Sequence, residues 1–139
     1  QTLGLSMNMS SLFTVEDPNE LLALWRLVAE AKFQSAPDDT DLWGSPYVHA
    51  LAQRISDALL RSRAAAGKLD AVETHKRWVE SLPNNVVLPV IQAKLKIDAE
   101  TSWWLGATHE QKLAYVRGCV APFQPSPDFL EGLLRDAEA

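Results

Sequence analysis

Three histidines, one cysteine and a short acidic run carry most of the chemistry open to this 139-residue chain. His75 sits within a helical apolar face made by Ala71, Val72, Trp78, Val79 and Leu82. His109 shares a face with Leu113, Val116 and Val120. Two imidazoles directed inward could meet across a helical bundle, line a pocket with Trp78, and hold a metal or act as an acid–base pair. Neither belongs to an H-x-x-x-H or H-E-x-x-H arrangement, so no local ligand spacing supports a metal, and none is assigned. The simpler expectation for each is a buried neutral imidazole satisfied by a hydrogen bond. His75 is the best single candidate for a functional polar residue. His49 falls with Gln53 and Asp57 on a polar helix side and is expected to be exposed.

Cys119 lies ten residues from His109 on one predicted helix, roughly 15 Å at 1.5 Å rise per residue, far beyond proton-transfer reach. Its setting, Gly118-Cys-Val-Ala-Pro-Phe123, is that of a small buried hydrophobe. The acidic run Asp38-Asp39-Thr40-Asp41-Leu42-Trp43-Gly44 has a partial likeness to a calcium loop. Read from Asp39, the fifth position is Trp43 and the twelfth is Ala50, where ligands are required. A solvated loop leading into the next helix explains it better. The chain contains no G-x-S-x-G, phosphate-binding glycine loop or cysteine cluster, so neither a catalytic residue nor a cofactor is assigned.

The tryptophans then become the residues to place. Trp25 and Trp78 lie on predicted apolar faces and are expected in the core. Trp43 follows the acidic run, and the adjacent Trp103 and Trp104 must point in different directions on any regular backbone. Large amphipathic rings favour interfaces. Asp38, Asp39, Asp41, Trp43 and Trp104 are therefore the candidate partner-binding set, with His75, Trp78 and His109 as the alternative pocket.

Charge narrows the partner. The net charge is −5, which disfavours nonspecific binding to nucleic acid or to an anionic membrane. Residues 1–53 carry two basic against seven acidic side chains, while residues 54–77 carry six against three. That one basic region reads as a solvated helix face. The helix pair over residues 69–97 lacks the Arg, Asn and Gln suited to base edges. A single cysteine excludes an intrachain disulfide framework. With no basic-then-apolar leader, it points to a cytoplasmic protein. No apolar run reaches bilayer-spanning length. Gln1 suggests a native start at Met7 or Met9.

Start and stop signals set the elements that must position these residues. Asp17-Pro18-Asn19-Glu20 opens a helix running to about Gln34, apolar over so wide an arc that it should be the central helix or the seam of a homodimer. Ser45-Pro46 starts a second helix that stops at Gly67. A third spans about Leu69 to Leu82, a fourth starts near Pro89, and a short turn ends at Gly106. Thr108-His-Glu-Gln111 and Ser126-Pro127 open the last two. The expected fold is all-α: an irregular compact bundle of five to six helices in one domain over residues 17–139, after a loosely ordered segment 1–16. The expected function is a non-enzymatic acidic binding domain of bacterial type, of the immunity, antitoxin-like or adaptor kind, engaging a basic protein partner.

Overall fold

In the computed structural model, residues 14–34 and 41–139 are described, and all regular structure among them is helical. Helix α1 covers Pro18–Lys32, α2 Asp41–Gly44, α3 Pro46–Ala65 and α4 Leu69–Val79. A 3₁₀ turn, Leu82–Asn84, follows. Then come α5 Leu88–Asp98, α6 Ser102–Gly106, α7 His109–Val120 and α8 Pro127–Glu138. Among the described residues eight helices replace the expected five to six, because α2 and α6, each little more than one turn, form in segments whose composition reads as loop and turn.

The starts of the four longest helices are set locally. Asp17, Ser45, Thr108 and Ser126 each accept a backbone N–H three residues on. At Thr108 the Gln111 side chain returns the bond, completing a capping box. Gly67, the one described residue with positive φ, reverses the chain after α3. The helix expected to start near Pro89 begins at Leu88, and Leu88, Ile91 and Leu95 form one stripe whose last two members are buried.

Helix α1 is the main departure. It packs along α3 but not at the centre of the molecule. Leu21, Ile55 and Leu59 form a small cluster there, edged by Leu24, Trp25 and Val28, while Leu27 is 67% exposed. The larger cluster lies elsewhere, where α5, α7 and α8 converge: Ile91, Leu95, Val116, Val120, Leu130, Leu133 and Leu134 are among its aliphatic members. Phe33 and Trp43 insert into that same cluster from opposite sides of residues 35–40. The broad apolar arc of α1 therefore marks a peripheral helix whose only fully buried side chain is Lys32.

Candidate functional site

The polar centre of the fold is built around Trp43, Asp98 and Lys32. Helix α2 delivers Trp43 into the core, 6% exposed. Its indole N–H donates to Asp98 Oδ2 at 2.8 Å, and the Tyr115 hydroxyl donates to the same oxygen at 2.8 Å. Asp98 closes α5 and Tyr115 stands on α7, so one carboxylate oxygen ties three helices together. The Trp43 carbonyl accepts from His49 Nε2 at 2.7 Å and, more weakly, from the Cys119 thiol at 3.9 Å. The first bond fixes the proton of neutral His49 on Nε2. Burial holds its pKa below the usual histidine value; the bond to Trp43 opposes that shift and the Lys32 charge adds to it.

Glycine makes this approach possible. A Cβ on Gly118 would stand 2.5 Å from His49 Nδ1, inside contact distance. Gly118 also supplies an acceptor: Lys32 Nζ donates to its carbonyl at 2.8 Å and to the carbonyl of Ala121. Those groups close α7, where the helix end carries partial negative charge and attracts a cation. Burial nevertheless lowers the Lys32 pKa to about 7, so near neutrality the amine is close to half protonated. Lys94 Nζ, also buried, has no hydrogen-bond partner among the described residues and lies 5.0 Å above the Trp43 ring. Its pKa is likewise lowered by burial, against the pull of Asp98.

These groups are poor reagents and good fasteners. The Cys119 thiol is buried and its pKa is pushed up to about 12, mainly by desolvation, so it stays a neutral thiol at any ordinary pH. Burial and neighbouring acidic groups push the Tyr115 phenol far above its usual range. Lys32 has the near-neutral pKa of a nucleophilic amine, but it is fully enclosed with its hydrogens committed to two carbonyls.

The histidine pair does not form. His75 is buried at the α3–α4 contact, where its Nε2 shares a 2.8 Å hydrogen bond with Ser56 Oγ. Its ring stacks on Trp78 and leans on Trp25. Burial, then the charge on Arg63, hold its pKa below the ordinary value. Both partners of this Ser–His contact are sealed from solvent, with no carboxylate hydrogen-bonded to the ring among the described residues, so it satisfies a core histidine and activates no nucleophile. His109 instead faces outward at the start of α7, paired with Glu131 of α8 at 2.9 Å. The apolar stripe of α7 begins at Leu113, and a residue in the first turn of a helix need not follow it inward. Trp78 belongs with His75, stacked on Phe123 at 4.2 Å, and shares nothing with His109.

The predicted partner-binding set is also divided. Asp38 and Asp39 lie outside the described residues, and Asp41 opens α2. Trp43 and Trp104 are core residues, not surface ones. Trp104 is 1% exposed, donates to Glu138 Oε2 at 2.9 Å and lies beneath Lys112, whereas Trp103 is 51% exposed. The Thr101 cap sets the phase of α6 and so decides which ring turns inward. Sequence reading missed Lys32, His49, Asp98 and Gly118. Gly118 alone carried a local signal, a glycine inside a helical pattern, which points to a close approach.

Comparison with protein families, with curated proteins and with solved structures gives no match to this chain. Among the described residues, no group of three His, Cys, Asp or Glu side chains could hold a metal ion. No described helix is long and apolar enough to cross a membrane.

Proposed function

We propose that this protein is a small acidic binding domain without catalytic activity, of the immunity, antitoxin-like or adaptor kind. It engages a basic protein partner through Asp38, Asp39 and Asp41. One observation supports the reading above the rest: the residues on both sides of this acidic segment are anchored in one core. On the N-terminal side Lys32 holds the end of α7 and Phe33 packs on Phe123. On the C-terminal side Trp43 is buried and bonded to Asp98. Fixed flanks lower the ordering cost of binding through the segment between them. Trp43 therefore serves recognition by holding the segment's end, and Trp104 has no direct part in it.

The test uses the whole protein as bait in native extract, beside the triple variant Asp38→Ala, Asp39→Ala, Asp41→Ala. A basic protein retained by the parent, released by salt and absent from the variant supports the reading. A partner set identical for both refutes it.

A further inference from the structure

The described fold carries a concavity lined in part by His49 and Gly118. It opens where α3 and α7 diverge and the chain leaves α7 through Ala121–Pro125. Its volume is about 630 Å³, within the range of small-molecule sites. Small side chains make the opening: Ala50 on α3, Ala114 and Gly118 on α7. Phe123 and Leu130 close the apolar end. Only a few polar groups enter a predominantly apolar lining, as ligand sites require. They are His49, Gln53, Arg117 and Gln124.

Their charges are one-sided. Arg117 is the single charged side chain of the lining, and among the described residues no carboxylate lies within ion-pair distance of it. One lining residue, Gln53, does contact an acid, Asp57. It is exposed, stands one turn beyond the lining on α3, and accepts from Gln53 Nε2 at 3.0 Å. The wall at Gly118 and Ala121 is backed by the Lys32 amine, which donates to both of their carbonyls. His49 presents a neutral ring whose orientation is locked by Trp43 and Gly118. A cleft with an apolar body, fixed neutral polar groups, a guanidinium at its edge and no acid in its lining fits a monoanionic amphiphile.

From this geometry we infer that the cleft between α3 and α7 binds a small carboxylic acid with an extended apolar chain, its carboxylate on Arg117 and its chain against Phe123 and Leu130. The guanidinium offers two parallel donors matched to a carboxylate, a geometry that an alcohol cannot use. The inference is independent of the acidic segment and does not require a protein partner.

Decanoate is the probe, with decanol as the uncharged chain of equal length, each titrated into the full protein and followed by calorimetry and backbone-amide chemical shifts. Decanoate should bind saturably and shift the amides of Gly118 and its neighbours. Decanol should bind roughly tenfold more weakly, and Arg117→Gln should weaken decanoate by a similar factor while leaving decanol unchanged. Ala114→Leu fills the cleft from an exposed helix position, so it should abolish binding without lowering the melting temperature. Absence of saturable decanoate binding, undiminished binding to Ala114→Leu, or equal affinity for decanoate and decanol would each overturn the inference.

Discussion

Replacing Lys32 by methionine removes the amine but keeps an unbranched stem of similar length in the core. The consequence is read in the pH dependence of stability. Burial lowers the folded-state pKa from 10.5 to about 7. The unfolded chain therefore holds this proton through a window in which the folded chain has released it, and stability must rise with pH across that window. Two pKa values of 10.5 and about 7 give a gain of about 1–2 kcal/mol between about pH 7 and pH 8.5. With a urea slope near 1.5 kcal/mol per molar, that is a midpoint increase of about 1 M. The buried Cys119 thiol works in the opposite sense, since its raised pKa removes stability only as pH climbs past the ordinary thiol value of 9.0. Lys94 works in the same sense as Lys32 and remains in the variant. The informative quantity is thus the difference in slope between parent and Lys32→Met, measured by urea unfolding over this interval. The parent should gain about 1–2 kcal/mol more than the variant. Equal slopes would show that Lys32 titrates normally and that its ammonium is not enclosed against the end of α7.

Three further changes probe the same centre. Trp43→Ala should cost roughly 3–5 kcal/mol in chemical unfolding, because it empties a core site and strips a donor from Asp98; an unchanged midpoint would return Trp43 to the surface. Gly118→Ala should destabilise by about 1–3 kcal/mol and displace the His49 ring, seen as a change in its imidazole NMR signals, since the new Cβ meets Nδ1 at 2.5 Å. The Cys119 thiol should resist Ellman's reagent in the native protein and react fully in denaturant. Rapid native labelling would contradict its burial and raised pKa.

The helix starts were legible in the sequence because a cap is a local device. Asp17, Ser45, Thr108 and Ser126 bond within three residues of themselves, and Ser, Thr and Asp before Pro or ahead of Gln say so directly. The polar centre was not legible, because its bonds join residues far apart in the chain, 55 positions from Trp43 to Asp98 and 86 from Lys32 to Gly118. Lys32 shows the difficulty best. A lysine in the last turn of an amphipathic helix reads as a solvated charge, and only the arrival of the carboxyl end of α7 makes it a buried cap. The wide apolar arc of α1 misled for a related reason, since apolar spacing shows that a face can be buried without showing what covers it. His109 followed its stripe in sequence but sits in the first turn of α7, where α8 offers Glu131 in place of a core. Of the adjacent tryptophans, the cap at Thr101 chose which one turns inward, and only its partner Glu138, 34 residues on, explains the choice of Trp104.

Recognition through the acidic segment is tested most directly by the affinity of the captured basic partner for the parent and for the Asp38→Ala, Asp39→Ala, Asp41→Ala variant, measured by calorimetry at low and at physiological salt. Three carboxylates that take part in binding should contribute about 1–3 kcal/mol together, so the variant should bind roughly tenfold or more weakly, with the gap narrowing as salt screens it. Equal affinities at both salt concentrations would contradict recognition through these carboxylates.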